Sequence, residues 1–403
     1  MKKIGILTFH RSVNNGAVMQ AYALSTRLQK EYPNYEVEII DYHMKKISDS
    51  YHFTFWKYVK RENPFVSLGV IRELAKDPHK LKRLNQRTAI FEKSFSKLPL
   101  SDFTIESDNP EELFERINGF YDSVIVGSDA VWNYVARGFP NAFFLSPHIM
   151  SKKLSYAASC YGMDFSLIED NVRNEIGKLL TSFDYIGVRD EATEKFVRWS
   201  GCSIQPHHTC DPTAFIDLDS LPIDIDLLKE KLKRKGFDFS RPTIGVMGSE
   251  KMGHMVRRLF GDSYQIVGLY EYLHSANVNL YDIDPFEWAY VFRFFKLTFT
   301  TFFHGTMLSL RNGVPLICVS LNTEFEKKFL PKTKDVLRRL GFEEWYFTTD
   351  YESENIIEIK EMAQKLLTSD LHDEIIEKIN IEAESFNSFK SALDTLLSEG
   401  ETK

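Results

Sequence analysis

Two doubly wound α/β domains facing a cleft, with helices packing back at the carboxyl end, are the fold this sequence predicts. Three observations carry it. Short apolar runs alternate with helical patterns, the alternation pauses once at the aspartate-rich stretch 216–226 with its Pro222, and no strand pattern follows residue 351. A length of 403 residues suits two cores better than one. The expected division is a first domain over 1–218, a second over 222–350 and terminal helices over 351–403.

The first set of strands is KIGILTF (3–9), EVEIIDY (36–42), DSVIVGS (122–128), KLSYAAS (153–159) and DYIGVR (184–189). Their nearly unbroken apolar character suits parallel strands covered on both faces. Helical periodicity fills 17–32, about 65–97 and 167–183. The second set is TIGVMGS (243–249), SYQIVGLY (263–270), KLTFTTFF (296–303) and VPLICVS (314–320), with helices at 251–260, 285–294, 305–312 and 331–341. Two such sheets joined by a short linker make a GT-B-like plan. Its ligands lie at the carboxyl ends of parallel strands and between the domains.

Composition narrows the function classes. Fifty Lys and Arg against 57 Asp and Glu give a formal charge of −7, which argues against a general nucleic-acid binder. Four cysteines without a Cys-x-x-Cys pair make no disulfide framework, so a reduced cytoplasmic setting is expected. The amino-terminal apolar run is too short for a signal peptide, and no stretch reaches the length of a membrane span. Charge is uneven: 56–98 carries eleven basic and four acidic residues, and 351–403 carries five basic and thirteen acidic. The basic stretch reads either as a solvated face or as an arm for an anionic or lipid-linked acceptor at the membrane face.

Four segments at strand ends are candidates for chemistry. After the first strand comes Thr8-Phe9-His10-Arg11-Ser12-Val13-Asn14-Asn15-Gly16. Its polar loop opens a helix and would bring His10, Arg11, Asn14 and Asn15 to the cleft. The second is Gly127-Ser128-Asp129-Ala130-Val131-Trp132-Asn133. There Gly127 permits close backbone approach, Ser128 and Asp129 offer polar contacts or a helix cap, and Trp132 is either a sugar-facing ring or core. The third is Arg189, followed by Asp190 and Glu191, able to grip a carboxylate or phosphate with two N–H groups. The fourth is Phe302-Phe303-His304-Gly305-Thr306. His304 suits proton transfer at a helix start, and Gly305 would let a ligand approach. Cys202, His207, His208, Cys210 and Asp211 crowd one stretch without a zinc-site spacing, and read as strand and turn residues. No metal site is expected.

Taken in order, GILTFHRSVNNGAVMQAYAL (5–24), YDSVIVGSDAVWN (121–133), SYAASCYG (155–162), YIGVRDE (185–191), CDPTAFID (210–217), DPFEWAY (284–290) and FFHGTMLSLRNGVPLICVS (302–320) resemble the polysaccharide pyruvyl transferase family. The resemblance implies a GT-B-like fold and transfer of a pyruvyl group from phosphoenolpyruvate to a sugar, forming a cyclic ketal and releasing phosphate. It implies no cofactor. By position His304 matches a catalytic or donor-binding His, and Arg189 an Arg that grips the anionic donor; Gly305 and Thr306 follow as donor-side residues. Family members have Asp-Arg-Leu-His or Asp-Ser-Phe-His before that His, whereas Thr301-Phe302-Phe303-His304 stands here. The charge of the missing Arg must then come from elsewhere, with Arg11, Arg311 and Lys332 as candidates. Two other readings of the same architecture are a nucleotide-sugar-dependent glycosyltransferase and a binding protein that has lost its donor site.

Overall fold

The computed structural model describes residues 2–45, 71, 74–75, 77–321, 324–349, 351 and 355–399. Thirteen strands among them form two wholly parallel sheets. The first contains β1 (Lys2–Leu7), β2 (Tyr35–His43), β3 (Leu100–Glu106), β4 (Ser123–Val126), β5 (Lys152–Ala158), β6 (Tyr185–Val188) and β7 (Pro206–His208), in the order β3-β2-β1-β4-β5-β6-β7. The second contains β8 (Thr243–Met247), β9 (Gln265–Gly268), β10 (Val278–Asn279), β11 (Leu297–Thr300), β12 (Leu316–Ser320) and β13 (Tyr346–Thr348), in the order β10-β9-β8-β11-β12-β13.

Both orders reverse direction once, between β1 and β4 and between β8 and β11. At such a reversal the two outgoing loops diverge and leave a crevice at the carboxyl ends of the strands. The loops opening there are those after Leu7, Val126, Met247 and Thr300. Three of them carry segments singled out in the sequence, which explains why polar residues collect in them.

The central strands are buried on both faces, as their apolar runs require: Ile4, Ile6, Val124, Ile125 and Leu154 in one sheet, Ile244, Val246, Phe299 and Ile317 in the other. Between the sheets the chain passes through short turns at Pro212–Phe215 and Leu218–Ser220, then the helix Ile225–Arg234. The expected linker is therefore partly ordered helix. After residue 351 three helices follow, Ile356–Thr368, His372–Ala383 and Phe386–Glu399. The last crosses back to the first domain, setting Phe386 and Phe389 against Tyr156 of β5 with ring centroids 5.7 and 4.8 Å away.

The basic stretch 56–98 lies partly outside the described residues. Its described end is the helix Lys80–Phe95, which lies along the seam between the domains. Just beyond that helix, Lys97 pairs with Asp284 of the second domain at 3.1 Å.

Candidate active site

The site is built by extending the first sheet past its strands. Asp129 forms an isolated parallel bridge with Ala158, and the Arg189 N–H donates to the Ala158 carbonyl at 3.1 Å. The ends of β4, β5 and β6 thus place Asp129 and Arg189 on either side of one strand. Asp129 holds φ of 79° and Gly127 φ of 112°. Gly127 is required because a Cβ there would lie 2.3 Å from the Tyr156 carbonyl oxygen. Its close approach is to β5, not to a ligand.

Arg189 is 1% exposed and sits at the centre of the cluster. Its Nη1 donates to Asp211 Oδ2 at 2.7 Å, and Nη2 lies 3.6 Å from Asp129 Oδ1. Its guanidinium stacks on Phe303 at 4.6 Å. Asp211 Oδ1 accepts from Thr213 N–H and Oγ1 at 3.0 and 2.5 Å, while the Ser128 hydroxyl reaches Oδ2 at 3.3 Å. Burial alone would raise the Asp211 carboxyl, but His304 and Arg189 hold it far below the ordinary carboxylate range. Asp129 shows the same contest and is also lowered, by Arg189, His304 and Lys332. Arg189 is pushed down by burial and raised beyond it by Asp211, Asp129 and Asp190. Asp190 is spent locally: it caps the helix Glu191–Trp199 through Thr193 N–H at 2.9 Å and accepts from Ser159 at 2.6 Å.

The second domain supplies His304 and Lys332. His304 is 7% exposed, in the first turn of the helix Phe303–Arg311, whose amino end has no side-chain cap. Its Nε2 lies 3.5 Å from Asp211 Oδ2 and has no hydrogen-bond partner among the described residues. Gly16, at the start of the first domain's helix Asn15–Glu31, packs against the imidazole so closely that a Cβ would fall 1.9 Å from Nδ1. The two domains meet there. Lys332 opens the helix Lys332–Arg339, its ammonium 5.0 and 5.3 Å from the Tyr161 and Phe303 rings. Burial and then Arg189 push Lys332 down to about 8, against the pull of Asp129, Asp190 and Asp211. Besides His304 Nε2, the buried atoms Arg189 Nε and Nη2, Asn15 Oδ1, Ser12 Oγ and Gln20 Oε1 have no hydrogen-bond partner among the described residues. Unsatisfied donors and acceptors in this density call for a polar ligand or water.

A family model for polysaccharide pyruvyl transferase matches residues 14–323. The chain belongs to that family. Membership makes it a transferase of polysaccharide biosynthesis. No curated protein matches the chain. Among solved structures, a protein described as a UDP-N-acetylglucosamine 2-epimerase from Listeria monocytogenes is 13% identical with a TM-score of 0.54, over 99% of this chain and 97% of that one. S. aureus MnaA with UDP is 11% identical with a TM-score of 0.54, over 99% and 97%. The UDP-GlcNAc 2-epimerase of Methanocaldococcus jannaschii is 11% identical with a TM-score of 0.51, over 94% and 99%. At such identities these likenesses speak to fold alone, and the fold is GT-B.

Within the pyruvyl transferase framework, the structure brings Ser128, Asp129, Arg189 and His304 together, and Lys332 joins them from beyond the matched stretch. Others do not. His10 is fully buried with Nε2 2.9 Å from Asp41, and Arg11 grips the same carboxylate at 2.5 and 2.6 Å. Both are consumed below the loop. Asn14 caps its helix through Gly16 and Ala17 N–H, leaving Asn15 with the orphaned oxygen. Trp132 is core: its indole N–H donates to the Phe143 carbonyl and its ring stacks on Phe144. Asn133 donates to the Tyr161 carbonyl at 3.0 Å. Gly305 faces its own sheet, since a Cβ would meet Thr300 Oγ1 at 2.3 Å and Met247 Sδ at 2.7 Å. Thr306 is buried and its hydroxyl donates to the Phe302 carbonyl. Arg311 is held by the Ile216 carbonyl and Asn380 away from the cluster.

Asp211 is the residue the sequence reading passed over, because it stood in a stretch taken as strand and turn. There His208 pairs with Glu382, His207 stacks on Tyr185 and Cys210 contacts the Tyr156 hydroxyl, so these side chains diverge. The available signal was its place after a strand, in the CDPTAFID match.

The Gly16 contact gives a direct test. Gly16→Ala should displace the imidazole and lower turnover by about tenfold to a hundredfold, a cost in the range of a 1 Å misplacement. A parent-like rate would show that the His304 position is not set by this contact.

Proposed function

We propose that this cleft transfers a pyruvyl group from phosphoenolpyruvate to a sugar of a bacterial-type surface polysaccharide or its precursor, forming a ketal and releasing phosphate. The observation that supports it best is the buried Arg189–Asp211–His304 cluster with Lys332 beside it, at a domain seam in a chain of this family. Arg189 and Lys332 are the two cations for the donor's carboxylate and phosphate. His304 is the proton carrier, and Asp211 orients it and balances its charge.

In this mechanism His304 donates a proton to the donor's terminal methylene, leaving C2 electron-poor. One sugar hydroxyl bonds to C2 and returns its proton to the imidazole. A second hydroxyl then bonds to C2 as the C2–O–phosphate bond breaks, and its proton leaves with inorganic phosphate. The reaction needs no redox partner. The reading carries no cofactor. It sets the reaction on the cytoplasmic side, at the inner membrane face where the acceptor is lipid-linked; no helix among the described residues is long and apolar enough to cross a membrane.

The deciding experiment incubates the protein with phosphoenolpyruvate and candidate glycans, following phosphate release and the mass gain of one pyruvyl ketal. Absence of both, with transfer from a nucleotide sugar instead, would replace the reading.

Lys332 adds a pH signature. Held near 8, its charge is lost as pH rises through that value. The donor kcat/KM, which reports the free enzyme, should fall toward tenfold per pH unit above about pH 8. Lys332→Arg should remove that limb, because guanidinium stays charged. An unchanged alkaline limb in a folded variant would take Lys332 out of donor binding.

A further inference from the structure

Outside this cluster another buried cation keeps part of its donor edge without a hydrogen-bond partner among the described residues. Arg87, on the helix Lys80–Phe95, is 7% exposed, and its Nε and Nη2 have no hydrogen-bond partner among the described residues. Its Nη1 donates to the Tyr270 carbonyl, just after β9. The guanidinium lies 4.4 Å from the Tyr270 ring and 5.4 Å from Phe91. One turn earlier Arg83 pairs with Asp77 and stacks on Tyr272 at 4.4 Å. Two arginines of the first domain thus lie on two alternate tyrosines of the second. Arg83 is neutralised; Arg87 is not.

The place is as telling as the charge. Tyr270 packs against Phe302 with ring centroids 4.6 Å apart and a 41° tilt. Phe302 follows β11 and precedes the helix that carries His304. The guanidinium of Arg87 therefore lies on Tyr270, which follows β9 and in turn packs on Phe302 after β11, at the strand ends where a GT-B cleft receives ligand. A buried charge without an opposite charge is costly, and burial presses Arg87 below its ordinary value against the upward pull of Tyr270 and Glu271. An anionic ligand would offset that cost.

We propose that the free edge of Arg87 binds an oxyanion, a carboxylate or a phosphate, of the substrate that occupies the cleft beside Tyr270 and Phe302. The proposal goes beyond the ketal-transfer reading and holds for any anionic substrate of this cleft. Planar two-point recognition is what Nε and Nη2 together provide.

The test uses the full chain and three probes: inorganic phosphate by thermal shift, phosphoenolpyruvate and uridine diphosphate by calorimetry. Arg87→Met should weaken the probe that the site takes by about tenfold to a hundredfold, the scale of charge-assisted hydrogen bonds. Its ligand-free thermal midpoint should equal or exceed the parent's, because an unpaired buried charge is removed. Loss confined to phosphoenolpyruvate assigns the oxyanion to the donor; loss confined to uridine diphosphate assigns it to a nucleotide-linked substrate. Should the Met variant fail to fold, Arg87→Lys keeps the charge, loses the fork and carries the same comparison. Affinities for all three probes within twofold of the parent, or no binding by the parent, overturn the proposal. Failure of ketal formation with an Arg87-dependent probe intact would overturn only the reaction assigned above.

Discussion

His304→Gln is expected to lower turnover by roughly 10²–10⁴ while the thermal midpoint stays close to the parent's. The two halves of that result come from one geometry. His304 Nε2 has no hydrogen-bond partner among the described residues and faces Asp211 at 3.5 Å, so removing the ring withdraws one charge contact but strands no hydrogen bond. Asp211 keeps Arg189, Thr213 and Ser128. A structural histidine would behave differently, since its loss leaves buried groups unpaired and costs stability along with activity. Gln also fills most of the space against Gly16, which limits repacking. Turnover within a few-fold of the parent would remove His304 from the chemistry and leave Lys332 as the remaining titratable proton carrier.

How far the site was legible follows from where its residues stand in the sheets. The central strands announced themselves because both faces are covered and their runs are continuously apolar. The strands that periodicity missed are the sheet edges: β3, β7, β10 and β13. An edge strand pairs on one side only, and these four show the consequences. Leu100–Glu106 has only Ser101 buried, Pro206–His208 begins with proline, and the other two span two and three residues. Asp211 lies just past β7, in a stretch read as structural strand and turn, and that reading concealed it. Arg189 directly follows β6 and His304 lies in the first turn of the helix after β11, both strands interior and buried throughout, and these residues were plain. His10, Arg11 and Trp132 were chemically suitable, but a sequence does not show that Asp41 lies one strand away or that the Phe143 carbonyl awaits an indole N–H. Chemistry-bearing residues in a strand-end loop are divided between cleft and support by neighbours from distant segments.

Asp211→Asn should be the most destabilising single change in the cluster, by about 3–5 kcal/mol, because it breaks a buried pair from one side. Asn can still accept from Thr213, so the turn it caps should survive. What fails is charge balance: Arg189, fully enclosed, would keep Asp129 at 3.6 Å and the through-space pull of Asp190, but no hydrogen-bonded carboxylate among the described residues. Asp129→Asn should cost less, since its side chain is 14% exposed and water can compensate. Acid unfolding supplies an independent readout. The Asp211 carboxyl is held below its unfolded value, so it contributes stability above the ordinary carboxylate range, and that stability is lost as pH falls toward its folded value. The parent should therefore lose stability in acid more steeply than Asp211→Asn, and the two curves should converge at low pH. Equal acid slopes with equal midpoints would show that Arg189 does not depend on Asp211. A steep parent slope with a collapsed neutral-pH advantage in the variant would place the cluster's stability in this one ion pair, the same pair that keeps a carboxylate charged beside His304.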